Sequence, residues 1–327
     1  MRVSDLGEFG LLDLLRRMLG GAAGDLVLGA GDDAAVFRDG GGGLWAYTAD
    51  ALLEGVHFDL RYTPWHALGY RALAASLSDL AAMGGCESSF ALVVLGLRGD
   101  EGVGEVQEMY RGMLECGERF RCLLAGGDMV RSPHGVMLSV SLVGRLPRGA
   151  CLTRAGARPG QAVLATGTLG DSRLGMLWLA EKGDPDNPCA RRHLYPCPRM
   201  EEGRRALLGG ATSAIDVSDG LLRDLGHICE ESGVGAEVFM EKIPISGAAR
   251  ETAAALGEDP VQAALHGGED YELLITADPE SVPGLCRGLP ATEIGRITAG
   301  GGVTLVDEKG NEVPAGRIGY DHFRERG

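Results

Sequence analysis

Six short clusters set an acidic residue among small residues beside an apolar segment, and they constrain what this chain can become. They read Gly31-Asp32-Asp33, Thr48-Ala49-Asp50, Leu77-Ser78-Asp79-Leu80, Gly126-Gly127-Asp128, Asp216-Val217-Ser218-Asp219-Gly220 and Gly267-Gly268-Glu269-Asp270. Solvated surface charge usually comes mixed with Lys and Arg, and these carboxylates have few cations beside them. A carboxylate buried next to strand-like or helix-like sequence needs a partner. Oxygen donors of this kind suit hard cations, and hard cations held by scattered loops suit phosphate chemistry.

The 327 residues suffice for two domains, and 45% hydrophobic with 24% charged residues gives a globular chain with a real core. A formal net charge of −15 argues against a nucleic-acid-binding surface. The longest apolar runs, Phe90–Leu97 and Gln161–Thr166, are too short to span a bilayer. Met1–Leu19 alternates apolar and charged residues at helical spacing and lacks the basic start, apolar core and cleavage site of a signal peptide. Eight Cys without a C-x-x-C pair read as free buried thiols of a reduced, cytoplasmic protein. Cys189, His193 and Cys197 share a four-residue spacing, but Pro188, Pro196 and Pro198 crowd the segment and weigh against a soft-metal site. His66, His134 and His193 read as surface or turn residues.

Ser4–Leu19 has the period of an amphipathic helix, and Ala34–Phe37 and Leu44–Thr48 read as strands joined by a glycine-rich turn. Thr63-Pro64 opens a long helix, with Thr as N-cap, and Gly84-Gly85 ends it. Strand Phe90–Leu97, helix Glu101–Arg119, strand Cys122–Ala125 and strand Gly135–Arg145 complete an α+β half with an antiparallel flavour. Pro147–Gly160 carries the boundary, which divides the chain into 1–147 and 148–327. The second half alternates strands and helices: strand Gln161–Thr166, helix Asp171–Lys182, strand Ser213–Val217, helix Asp219–Ser232, strand Gly235–Met240 and strand Tyr271–Ala277.

Gly29-Ala30-Gly31-Asp32-Asp33-Ala34 fits the dinucleotide fingerprint G-x-G-x-x-A, but a strand follows it where a helix belongs, and Asp32 and Asp33 would repel pyrophosphate. No P-loop and no protein-kinase catalytic loop occurs, so nucleotide phosphates need another device. Mg2+ ions on Asp side chains would serve. At Asp216–Gly220 a strand ends and a helix begins. Ser218 there suits an N-cap and the helix amides suit an anion, while capping leaves Asp216 unexplained. Gly126-Gly127-Asp128 follows its strand in the same way. Asp79 lies inside an apolar helix, where a structural hydrogen bond and a metal-ligand role both remain open. Asp33 and Asp50 sit near strand ends.

Together these motifs resemble the thiamine-monophosphate kinases, in the superfamily that also holds aminoimidazole-ribonucleotide synthetase and selenophosphate synthetase. The resemblance runs from Gly7-Glu8-Phe9 to Gly319-Tyr320-Asp321-His322-Phe323. It is most specific at Ser78–Gly84, Leu152-Thr153-Arg154 and Gly268–Leu273. It implies a two-domain α+β fold of the aminoimidazole-ribonucleotide synthetase type, with N-terminal sheets pairing into a homodimer, a C-terminal α/β domain, and the site in the cleft between domains. It implies ATP-dependent phosphorylation of thiamine monophosphate to thiamine diphosphate on several Mg2+ ions. By motif match, Asp33, Thr48, Asp50, Asp79, Asp128, Asp216 and Asp219 would hold Mg2+, with Asp50, Asp128 and Asp216 central to catalysis. Tyr110, Gly127, Asp128, Arg154 and Ser218 would contact ATP, and His57, Glu269 and Tyr320 would contact thiamine monophosphate. The chain departs from the family at Ala49, where a hydroxyl is usual and only the carbonyl could coordinate. It departs again at Met129 and Val130, where the family commonly has two Thr. Both changes imply altered metal affinity with activity kept.

Rival readings are a different ATP-dependent synthetase of the superfamily and a non-catalytic ATP-binding paralogue. The first Cys is Cys86 and the chain ends Arg324-Glu325-Arg326-Gly327, so the reactive cysteines of two superfamily branches have no counterpart. The retained carboxylates weigh against a non-catalytic paralogue.

Overall fold

The computed structural model describes residues 2–314. The first half runs α1 (Val3–Leu19), β1 (Leu26–Leu28), β2 (Ala35–Arg38), β3 (Leu44–Leu53), α2 (Trp65–Ala82), β4 (Ser89–Leu97), α3 (Val103–Phe120), β5 (Cys122–Arg131) and β6 (Met137–Arg145). Its six-stranded sheet has the order β1-β2-β3-β6-β4-β5 and is antiparallel except where β4 meets β5. Side chains alternate across the sheet. On β3, Leu44, Ala46, Thr48 and Leu52 are buried, while Tyr47, Ala49, Ala51 and Leu53 are exposed. α2 and α3 cover the buried face and pack closely on each other. Gly69 and Gly112 make this possible, since an added Cβ would lie 1.8 Å from the Met109 carbonyl oxygen and 1.9 Å from that of His66, respectively.

The second half continues with β7 (Ala162–Thr166), α4 (Asp171–Lys182), α5 (Pro188–Leu194), α6 (Met200–Leu208), β8 (Ala211–Asp216), α7 (Leu221–Ser232) and β9 (Gly235–Phe239). It ends with α8 (Gly247–Leu256), α9 (Pro260–His266), β10 (Leu273–Ala277), α10 (Val282–Gly288), β11 (Ala291–Thr298), β12 (Gly302–Val306) and β13 (Glu312–Val313). Seven strands form the sheet β13-β12-β9-β11-β7-β10-β8, antiparallel except at β12–β9.

α2 joins the halves. It is buried along nearly its whole length, as an apolar helix must be. Ala81 and Ala82 at its end pack with Leu152, Leu164, Ala214 and Leu273 of the second half. That contact brings Asp79, one turn earlier, toward the end of β8.

Several local expectations need correction. Thr63 does not cap α2: Pro64 is the N-cap and the Thr63 hydroxyl, buried, has no hydrogen bond among the described residues. Gly126-Gly127-Asp128 is no loop, because β5 runs through it with a bulge at Ala125. An edge strand tolerates glycine, and a Cβ at Gly127 would sit 1.8 Å from the Val93 carbonyl oxygen. Asp50 lies well inside β3, not near its end. His193 is buried at 2% exposure, with its Nδ1 3.0 Å from the Ser172 hydroxyl.

Candidate active site

Asp33, on the loop between β1 and β2, meets Asp79 of α2 and Asp216 at the end of β8, and one carboxylate oxygen from each lies within 4.8 Å of the others. Thr48 donates to Asp79 Oδ2 from the helix-covered face of β3. The burial and mutual repulsion of these groups set their protonation. Asp216 is pushed up to about 8, first by burial and then by Asp33, against partial relief from Ser78 and Arg154. Asp79 is raised well above the usual range by burial and then by Asp50, Asp216 and Asp33. Asp50 is raised by burial and by Asp33, with Ser76 easing it, and Asp32 is raised to about 7 by burial and by Asp33. Among the described residues neither Ser76 nor Ser78 closes a full hydrogen bond, and the buried Oδ2 atoms of Asp33, Asp50 and Asp216 have no partner.

Among the described residues Arg154 is the cation that touches this group. Its Nε and Nη2 donate to Asp33 Oδ1 at 3.1 and 2.6 Å, and its backbone N–H donates to Asp32 Oδ2 at 3.1 Å. One guanidinium set against five carboxylates leaves the cluster short of positive charge. Orphaned carboxylate oxygens beside hydroxyls form a hard donor set that fits Mg2+.

A second acidic group borders the first. Asp219, Asp224 and His227 have ligand atoms within 4.8 Å of one another. Here the expected Ser218 cap is wrong. The N-cap of α7 is Gly220, at φ 115, and Asp224 from inside the helix accepts the N–H groups of Ser218, Asp219 and Gly220 at 3.1, 3.1 and 3.0 Å. The loop amides that suited an anion are therefore gathered on one carboxylate.

Glu269 lies on the loop after α9, which is stitched to the Asp216–Gly220 loop. Glu269 donates its N–H to the Ser218 carbonyl at 2.8 Å and Tyr271 to that of Val217 at 2.9 Å. Asp270 accepts from Gly170 and Ser172 at the start of α4, at 2.7 and 3.0 Å. The Glu269 carboxylate pairs with Arg71 of α2. His57 accepts the Leu53 N–H on Nδ1 at 3.0 Å.

Four assigned residues do not join this constellation within the chain. Asp50 faces Val140, Val140 faces Val93, and Val93 faces Gly127. Three strand spacings put Asp128 roughly 14 Å from Asp50. Asp128 also pairs with Val94, in line with exposed Phe90 and Leu92 on the open face, while Asp50 lies on the covered face. Gly127 shares that edge strand. Ala49 also carries its side chain on the open face, away from Thr48 and Asp50. Tyr110 sits half-buried on α3 against the first core. Tyr320 lies outside the described residues.

The sequence motifs do not single out Arg71 or Asp224. The signal for Arg71 was there: a lone cation in an apolar helix must be sealed in and paired. Asp224 looked like an ordinary charge in the first turn of a helix.

Residues 31–146 match the family model for the AIR synthase related protein, N-terminal domain, and residues 158–308 match that for the C-terminal domain. The fold and site thus define a two-domain protein of the AIR synthase related class. The chain is 37% identical to the thiamine-monophosphate kinase of Aquifex aeolicus (strain VF5), over 99% of this chain and 100% of that one. It is 36% identical to that of Escherichia coli (strain K12), over 97% and 98%. The structure of AaThiL complexed with AMPPCP and TMP superposes with a TM-score of 0.86 at 36% identity, covering 98% of this chain and 99% of that one. The chain belongs to the thiamine-monophosphate kinase family.

Proposed function

We propose that this protein transfers the terminal phosphoryl group of ATP to thiamine monophosphate, giving thiamine diphosphate and ADP. The observation that carries this reading is the set of orphaned, buried carboxylate oxygens gathered from both halves of the chain. Near-full-length relatives named for that activity, and a similar structure complexed with AMPPCP, an ATP analogue, support it.

Asp33, Thr48, Asp50, Asp79, Asp216 and Asp219 would hold Mg2+, and Ala49 would contribute only its carbonyl. Bound Mg2+ supplies charge neutralisation and alignment of phosphate oxygens. The acceptor phosphate is already ionised at neutral pH, so no side chain need act as a strong base. Arg154, planar and always charged, would turn from Asp33 toward nucleotide phosphate, joined by Ser218. His57, Glu269 and Tyr320 would take the thiamine part, where a carboxylate and an aromatic ring suit a cationic thiazolium.

Asp128 and Gly127 complete this site through a second copy. The open face of the first sheet presents Tyr47, Leu53, Phe90 and Leu92 at 40–50% exposure. An apolar sheet face of this size suits a homodimer whose sheets pair, with the partner subunit's Asp128, Gly127 and Tyr110 reaching the carboxylate cluster. Residues 1–147 would then be the metal-binding and pairing unit, and 148–327 would close the cleft.

A coupled assay of thiamine diphosphate formation tests the reading. Turnover should require Mg2+, and activity surviving exhaustive chelation would sink it. Turnover of aminoimidazole precursors in place of thiamine monophosphate would move the chain to a different branch. Asp50→Asn and Asp128→Asn should each abolish transfer. Mixing and re-equilibrating the two inactive variants should recover roughly a quarter of wild-type activity, because half the dimers then hold one intact site. No recovery would place both carboxylates in one chain's site.

A further inference from the structure

Arg71 is fully buried, yet it is bonded at the mouth of the site. Its Nη1 donates to the His57 carbonyl oxygen at 2.9 Å, and its Nη2 donates to Glu269 Oε1. These acceptors belong to different halves of the protein: a loop after β3 and the loop after α9. Both residues are assigned to the acceptor substrate by the reading above, on which this inference rests. We propose that Arg71 is a positioning residue for thiamine monophosphate, its guanidinium fork locking the His57 loop to Glu269 so that the two loops present one binding wall.

The pair has a front and a back. The Arg71 side chain is 0% exposed while that of Glu269 is 26% exposed. Only the anion therefore meets the cleft, as recognition of a cationic ring requires. With Oε1 engaged by Arg71, Oε2 is the oxygen left to face a ligand. His193 Nδ1 stands 3.8 Å from that oxygen and is held by Ser172. Burial and the neighbouring Arg71 push the His193 pKa well down, so His193 stays neutral and does not compete as a second cation.

Stability alone does not account for the arrangement. Buried ion pairs contribute little net stability, because both charges lose water. Glu269 holds φ at 65, a conformation that an L-residue adopts only at a cost. The Arg71 Nε–H is buried with no acceptor among the described residues. Unfavourable backbone and an unmet donor at one contact mark a geometry kept for function. A lysine could not reproduce it, because one ammonium lacks the planar fork that spans two acceptors.

The test is steady-state kinetics on full-length Arg71→Met, Arg71→Lys, Glu269→Gln and the double variant Arg71→Met/Glu269→Gln. Arg71→Met should raise KM for thiamine monophosphate tenfold or more, with KM for ATP within twofold and kcat within fivefold. Arg71→Lys should recover less than half of that loss. In the Glu269→Gln background the further effect of Arg71→Met should be under twofold, because Arg71 acts through Glu269. An equal rise in both KM values, a loss of kcat alone, or additive effects in the double variant would each overturn the proposal. Should Arg71→Met not fold, hydrogen exchange on the wild-type protein decides. In the ligand-free protein residues 54–58 and 267–271 should open together, with one opening free energy and one denaturant dependence, and independent opening of the two segments would overturn the lock. Wild-type protein that makes no thiamine diphosphate refutes the kinase reading itself, a result separate from any pattern among the variants.

Discussion

Asp216 concentrates the conflict between stability and chemistry in one side chain. It ends an apolar strand, is 2% exposed, leaves one oxygen without a partner among the described residues, and is pushed up to about 8 by burial and by Asp33. Asp216→Asn keeps the shape and removes the charge. Without metal it should stabilise the fold by about 1–3 kcal/mol at pH 7–8, since the chain no longer has to take up a proton at this carboxylate, or bury its charge, in order to fold. Thiamine diphosphate formation should fall at least 100-fold. Denaturant titration in chelator, alongside the kinase assay, checks both halves; lower metal-free stability would mean that Asp216 already has a satisfying partner. Arg71 and Asp224 show why residue type alone misleads. Arg71 reads as one charge in a helix, and its meaning comes from acceptors 14 and 198 positions away. Asp224 reads as helix surface, and its meaning comes from three amides that the turn at Gly220 folds back onto it.

At the scale of elements, legibility followed how local the determining force is. α2 could be read because its apolar run is closed by Gly84-Gly85, whose positive φ values of 101 and 71 end the helix. β5 could not be read through Gly126-Gly127, because glycine lowers strand propensity and the reason for it is a neighbour: Gly127 lies flat against Val93. The carboxylate cluster was visible as a list of residues, since acids beside small residues are rare on surfaces. Its division was not visible. That Asp128 faces away from Asp50 depends on strand order and on the bulge at Ala125, which no local pattern encodes. The α2–α3 seam gives a test at this scale. Gly112→Ala gains about 1 kcal/mol in helix propensity. Its Cβ, however, would lie 1.9 Å from the His66 carbonyl oxygen and 2.9 Å from the Tyr70 nitrogen, so the helices must part. Overpacking wins, and a net loss of about 1–3 kcal/mol is expected from the denaturation midpoint. A variant more stable than wild type would mean that the seam has slack.

In the whole molecule α2 joins the two halves and the carboxylate cluster lies where they meet, so stability should depend on what fills that cluster. Burial and mutual repulsion raise Asp32 to about 7 and Asp216 to about 8 in the folded chain, from the ordinary carboxylate value of 3.8, and raise Asp33, Asp50 and Asp79 as well. The sign follows from linkage. A folded-state pKa above the unfolded one means that the folded protein binds more protons across the window, so the contribution to stability is whole below about 4 and declines as pH rises toward about 8. Metal-free protein should therefore lose thermal stability from pH 5 to pH 8. Mg2+ competes with those protons for the same oxygens, so its affinity should rise over the same interval and its binding should release protons. The increase in Tm on adding a fixed excess of Mg2+ should be larger at pH 8 than at pH 6, with proton release seen directly in a weakly buffered titration. Equal stabilisation at the two pH values, or Mg2+ binding without proton release, would mean that the folded cluster is ionised before metal arrives, and that Arg154 and the surrounding hydroxyls satisfy it better than its orphaned oxygens suggest.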